Sequence, residues 1–118
     1  MKKYIDTGKV DTRSGFGEGL AIAGREDERV LALTADLKGS LKMGAFAKAF
    51  PERFIQCGIA ESNMVGVAAG LAITGKVPFI GSFAEFVTGR VYDQLRQEVA
   101  YGHTNVKIAS SHAGITLG

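Results

Sequence analysis

Cysteine is nearly absent. With only Cys57 among 118 residues, the chain forms no internal disulfide, as expected in a reducing compartment. Histidine is scarce as well: His103 and His112 are the two. One Cys and two distant His give no metal-ligand spacing. Charge of one sign is also missing. The net charge is +2, and Lys38, Lys42, Lys48, Arg53, Lys76, Arg90 and Arg96 are scattered along the chain. That is the pattern of a solvated mixed surface and not of a nucleic-acid-binding stripe. The longest apolar run, residues 64–73, is too short to span a bilayer and is interrupted by glycine. The opening "MKKYIDTGKVDTRSG" has basic residues with no apolar stretch behind them, so it is not a signal peptide. There is no phosphate-binding loop of the G-x-x-x-x-G-K-[ST] type. "GFGEG", residues 15–19, precedes the first strand pattern instead of following it, so it is discounted as a dinucleotide fingerprint. Repeats, low-complexity tracts and linkers are absent. The expectation is a soluble cytoplasmic protein that engages neither nucleic acid nor membrane.

What is there is an ordinary core-forming composition, 46% hydrophobic and 22% charged, with 16 glycines for turns and close backbone approaches. The length suits one domain. Two periods alternate along it. "TRSGFGEGLAIAGR" reads as a helix with Phe16, Leu20 and Ala23 on its apolar face, and "RVLALTAD" as a strand covered on both sides. "SLKMGAFAKAF" is helical, with Phe46 and Phe50 one turn apart and Pro51 as a stop. "RFIQCGI" is a second strand, in which Cys57 is a small core residue. "ESNMVGVAAGLAITG" is a helix ending at Gly75, and "VPFIGSF" a third strand. "EFVTGRVYDQLRQEVAYG" is an amphipathic helix with Val87, Val91, Leu95 and Val99 on one face and Gly102 as its cap. "NVKIASSH" is a fourth strand. The α-β-α-β-α-β-α-β order predicts an α/β three-layer sandwich, a mostly parallel sheet flanked by helices. Because a strand stands last with no helix after it, the domain is expected to be truncated, incomplete at its C-terminal end.

Ligands of such sheets bind beyond the carboxyl ends of the strands. Every polar or aromatic oddity of the sequence falls there. Glu61 heads a helix that is apolar nearly all round, with Gly66 and Gly70 four apart to admit a neighbouring helix. A first-turn Glu ordinarily answers the helix dipole. At the mouth of a buried helix it is partly desolvated, which favours the protonated carboxyl and suits it to donate a hydrogen bond or shuttle a proton. Asp36 follows a strand as a turn or capping residue, and Ser40 could cap the helix starting at Leu41. Phe83 and Phe86 flank a strand-to-helix turn, as core residues or as a platform for a flat ring. His112 ends the last strand beside Ser110 and Ser111, where it is structural or contacts a phosphate or proton-transfer centre. Arg13 opens the first helix as a surface cation.

Taken together, "DTRSGFGEGL", "LTADLKGS", "GIAESNMVGVAAGLA", "GSFAEFVTGRVYDQLR" and "SSHAGITLG" resemble the pyrimidine-binding domain of transketolase, over residues 11–118, with residues 1–10 as a leader. The similarity is strongest to the separately encoded C-terminal half of split transketolases, and its most specific block is G-I-x-E-x-N-M with the small-residue helix. The resemblance implies a thiamine-diphosphate-binding fold. It implies a thiamine-diphosphate-dependent transferase of the pentose phosphate pathway, moving a two-carbon ketol unit between sugar phosphates. Glu61 takes the place of the glutamate that bonds N1′ of the aminopyrimidine ring. Phe83 and Phe86 take the place of the pyrimidine pocket, with Phe86 the better placed to stack, and Asp36 lies near the thiazolium end. Arg13, Ser40 and His112 match positions that hold the substrate phosphate. The diphosphate and its magnesium or calcium fall to a companion N-terminal subunit. A dimer is expected across the small-residue helix 61–75, although ordinary packing within the domain would equally explain it. The chain alone is expected to be inactive. Ser62 stands where many relatives carry His or Gln, Ala60 where some carry a basic residue, and Gly89 where some place another pocket aromatic. Two other readings stay open: a fragment similar to 1-deoxyxylulose-5-phosphate synthase, and a non-catalytic α/β assembly or regulatory module.

Overall fold

The five residues of β1 (Val30–Thr34) are all buried, and their alternate side chains serve two different cores. Leu31, Leu33 and, just past the strand, Ala35 pack with Met64, Val65, Ala68 and Ile80. Val30 and Ala32 pack with Leu20, Leu41, Met43 and Phe46 on the other side. A strand has period two, so a continuous apolar run is what a doubly covered strand requires. The computed structural model describes residues 8, 9 and 11–115; of the expected leader, 1–10, only Gly8 and Lys9 lie within them.

Three further strands, β2 (Phe54–Gln56), β3 (Val77–Phe83) and β4 (Lys107–Ser111), complete a four-stranded sheet of order β2-β1-β3-β4. All its pairings are parallel. Thr34 stands opposite Gln56 on one side and Gly81 on the other, and Phe83 stands opposite Ser111. Helices α1 (Thr12–Glu26) and α2 (Gly44–Ala49) supply the core on one face. Helix α3 (Glu61–Ile73) and the segment after β3 supply the other. The expected three-layer α/β sandwich is therefore present. Strand β4 is the least covered: it holds no buried residue, and Ile108 is 44% exposed.

Helix α1 begins where Asp11 accepts from the Ser14 N–H at 3.1 Å and the Ser14 hydroxyl at 2.8 Å, a side-chain N-cap. Its Phe16, Leu20 and Ala23 face the core as their spacing requires. Phe46 and Phe50 meet edge-on with centroids 5.1 Å apart, and the Arg53 guanidinium covers Phe50 at 3.8 Å.

Three local expectations are corrected. The helix expected from Leu41 starts at Gly44, with Met43 as its N-cap, so Ser40 caps nothing. Strand β2 ends at Gln56, and Cys57 lies just beyond it, half-buried against the core. The long amphipathic helix after β3 is broken into a 3₁₀ turn (Glu85–Val87), a short α4 (Tyr92–Gln94) and a π-helical stretch (Leu95–Tyr101). Val87, Val91, Leu95 and Val99 nevertheless all reach the same core. Gly102 is the C-cap of that stretch, as expected, with a right-handed φ of −71°. Glycine is needed there because a Cβ would stand 2.6 Å from the Glu98 carbonyl oxygen.

Candidate functional site

The chain leaves β1 for β2 on one side and reaches β3 on the other, so a crevice opens where the strand order reverses. Hydrogen bonds fix its floor. The buried Thr34 hydroxyl donates to the Gly81 carbonyl at 3.0 Å and accepts from the Leu37 N–H at 3.3 Å. The Cys57 N–H donates to the Thr34 carbonyl at 2.9 Å. Asp36, in the left-handed region at φ 61°, donates its N–H to Gln56 Oε1 at 2.7 Å. Non-glycine residues in that region carry strain that cluster at working sites.

Glu61 opens α3 and is 3% exposed. Ala60 before it has no side-chain cap to offer, and Glu61 is the acidic residue of the first turn. Arg90 Nη1 donates to Glu61 Oε2 at 3.0 Å, and the Ser82 hydroxyl makes a long 3.4 Å contact with Oε1. The Arg90 guanidinium lies 3.7 Å from the centroid of Phe86. Glu61, Phe86, Ile59, Asp36 and Leu37 border a cavity of about 160 Å³. That is roughly the liquid volume of five waters, room for one six-membered ring with small substituents. The desolvation expected of Glu61 is found, and it comes with a countercharge. Arg90 and Ser82 were not singled out in the sequence. A hydroxyl inside the apolar run "VPFIGSF" and a cation four residues past an aromatic were the available signals.

The remaining candidates lie elsewhere. Arg13 Nη1 donates to the Ser40 carbonyl at 3.3 Å, and Arg13 Nε pairs with Asp11 at 3.2 Å. Ser40 is thus met through its backbone and not its hydroxyl. Arg13 also borders, with Ser110 and Ser111, a concavity of about 370 Å³ between α1 and β4. His112 follows, at φ 61°, its Nδ1 2.6 Å from the Ser111 hydroxyl and its ring in tilted contact with Phe83, centroids 4.1 Å apart. Phe83 and Phe86 are in tilted ring contact with centroids 5.7 Å apart; Phe83 also touches His112, and Phe86 borders the Glu61 cavity. A third concavity of about 410 Å³, along Tyr92 and Leu95, holds no buried ionisable group. The Glu61 cavity is the smallest of the three, and it alone joins a buried carboxylate to an aromatic face. Among the described residues no cluster of three or more His, Cys, Asp or Glu is placed to hold a metal, and no helix is long and apolar enough to cross a membrane.

Residues 8–118 match the family described as transketolase, pyrimidine binding domain. The chain belongs to that family. It is 52% identical to a transketolase C-terminal section of Methanocaldococcus jannaschii over 90% of this chain and 34% of that protein. It is 41% identical to human transketolase over the whole chain and 19% of that enzyme. Among solved structures, a split-gene transketolase described as an inactive β4 tetramer shares 48% identity with a TM-score of 0.81, over 89% of this chain and 35% of that one. The transketolase of Leishmania mexicana matches at 25% identity and a TM-score of 0.82, over 99% of this chain and 18% of that one. This transketolase-family chain thus spans about a third or less of the relatives it matches. Transketolases as a family use thiamine diphosphate.

Proposed function

We propose that this chain supplies the pyrimidine side of the cofactor site in a thiamine-diphosphate-dependent transketolase. The observation that carries the reading is the Glu61 carboxylate. It is 3% exposed, stands at a helix N-terminus and borders, with Phe86, a ring-sized cavity at the reversal point of a parallel sheet.

The residues fit the aminopyrimidine part of the cofactor. Glu61 holds the proton at the ring nitrogen, Phe86 offers an aromatic face, and Asp36 lies toward the thiazolium end. Low local dielectric strengthens the Glu61 bond. When bound, thiamine diphosphate supplies the carbanion-stabilising chemistry that lets a two-carbon ketol unit pass from a ketose phosphate to an aldose. The described residues hold no metal cluster, and no Lys or Arg lines the cavity to meet a diphosphate. The diphosphate and its magnesium or calcium belong on a companion N-terminal subunit, as in a split transketolase. Arg13, Ser40 and His112 form the phosphate end of the sugar site, with His112 held against Phe83. Two copies meet across α3, whose solvent side carries Val67 and Ile73, 36% and 77% exposed. The assembly is cytoplasmic, and the chain alone is inactive.

The test is reconstitution. The complete chain is mixed with its companion subunit, and ketol transfer between sugar phosphates is followed with and without thiamine diphosphate. Activity is expected only with both proteins and the cofactor. No transfer from the full mixture, or equal transfer without the cofactor, would overturn the reading.

A further inference from the structure

The cation at position 90 has no part in the roles above. Arg90 makes two contacts at once: Nη1 to Glu61 Oε2 at 3.0 Å, and its guanidinium plane against the Phe86 ring at 3.7 Å. Both partners border the cavity of about 160 Å³, and Arg90 is not among the residues lining it. It therefore stands behind the two side chains that would meet a ring, and not in the ring's place.

This has two consequences. The carboxylate oxygens of Glu61 become unequal. Oε2 is committed to a charge-assisted bond, while Oε1 has only the 3.4 Å contact with Ser82 and keeps acceptor capacity to spare. Phe86, in turn, has one region of its ring held by a cation, which fixes the orientation of the rest. Lysine could not do both. Its point charge has no plane to lay on an aromatic face, whereas a guanidinium stacks and donates together.

We propose that Arg90 is a positioning residue, which sets Glu61 and Phe86 together for one flat nitrogen heterocycle and leaves Oε1 as the oxygen that meets its ring nitrogen. This rests on the cofactor reading of Glu61 given above. Arg90 acts through its two neighbours and need not touch the ligand.

A double-mutant cycle on cofactor binding tests it. Thiamine diphosphate is titrated calorimetrically, with magnesium, into the complete chain assembled with its companion subunit. The proteins are wild type, Arg90→Met, Arg90→Lys, Glu61→Gln and the double variant Glu61→Gln/Arg90→Met. Loss of a charge-assisted bond should weaken binding about 10- to 100-fold in Arg90→Met. Arg90→Lys should recover part of that loss. The double variant should be weakened by clearly less than the product of the two single effects, since the charge-assisted Arg90–Glu61 bond is already lost once Glu61 is neutral. It also leaves no buried unpaired charge, so it keeps the test open if Arg90→Met folds poorly. Unchanged binding in Arg90→Met would overturn the proposal, as would strictly multiplicative effects. Tighter binding would overturn it by making Arg90 an occupant of the ring site. If the wild-type complex binds no thiamine diphosphate, the cofactor reading falls and this proposal with it. Wild-type binding with indifferent Arg90 variants would remove this proposal alone.

Discussion

The imidazole of His112 rests on the phenyl ring of Phe83, centroids 4.1 Å apart and planes inclined by 46°. Phe83 ends β3 and stands opposite Ser111, whose hydroxyl meets His112 Nδ1 at 2.6 Å. The contact therefore locks the exit of β4 over the exit of β3. Phe83 thus has His112 as a further neighbour, while Phe86, in ring contact with Phe83 at 5.7 Å, borders the Glu61 cavity.

The different neighbours predict different duties, which kinetics of the assembled enzyme would read. Aromatic contacts are worth about 0.5–1.5 kcal/mol beyond their buried area, or roughly 2- to 10-fold. Phe86→Ala should weaken the apparent affinity for thiamine diphosphate by at least that factor. Phe83→Ala should instead raise KM for the phosphorylated donor sugar, with the cofactor affinity little changed. The reverse assignment of effects would contradict the division.

The crevice floor depends on Thr34, which bonds the Gly81 carbonyl and the Leu37 N–H from a fully buried position. Thr34→Val preserves the shape and removes both bonds. A cost of about 1–3 kcal/mol is expected, from leaving buried polar groups unpaired. Urea unfolding of the complete chain reads it directly, and an unchanged midpoint would show the bonds to be dispensable.

Acid should weaken the α1–β1 turn. Hydrogen bonds from the Arg29 side chain and N–H hold Asp27 at about 2, below its ordinary 3.8. A carboxyl lowered on folding contributes stability that is complete above the unfolded value and is lost as pH falls through the folded one. The contribution of Asp27 should therefore fade between about pH 4 and pH 2. Unfolding midpoints of wild type and Asp27→Asn should converge over that window. Parallel curves throughout would refute the coupling.

Cys57 should be a sluggish nucleophile. Its partial burial pushes the thiol up from its ordinary value, so less thiolate is present at mildly alkaline pH. Alkylation of the folded chain at pH 8, followed by mass spectrometry, should be slower than in the urea-unfolded chain. Equal rates would mean that the thiol is effectively free.

Alternation of period-two and period-four patterns was enough to read the sheet and its layers. β3 and α1 stand where "VPFIGSF" and "TRSGFGEGLAIAGR" put them, because each is locally consistent with its surroundings. The segment after β3 shows where pattern and backbone part. Val87, Val91, Leu95 and Val99 repeat strictly every four residues, and on a regular α-helix such a stripe drifts by about 40° per step. The backbone absorbs the drift by passing through 3₁₀, turn and π-helical conformations, so all four reach one core. The paired glycines of α3 were half legible. A Cβ at Gly66 would stand 3.2 Å from Glu98 Oε2, so the π-helical stretch does approach there, while nothing lies within 4 Å of the same point on Gly70. Glu61 could be found from its place at a strand end before an apolar helix. The pairing of Glu61 with Arg90 could not, because the two are 29 residues apart and the turn at residues 88–91 brings them together.

The most direct measurement is turnover of the assembled, cofactor-loaded enzyme carrying Glu61→Gln. The substitution keeps the size of the side chain and removes its charge and its capacity to take up and release a proton. Ketol transfer should drop by about 10²-fold or more, the scale for losing a positioned acid–base group, while the subunits still assemble and circular dichroism matches wild type. Wild-type turnover in that variant would contradict the role given to Glu61.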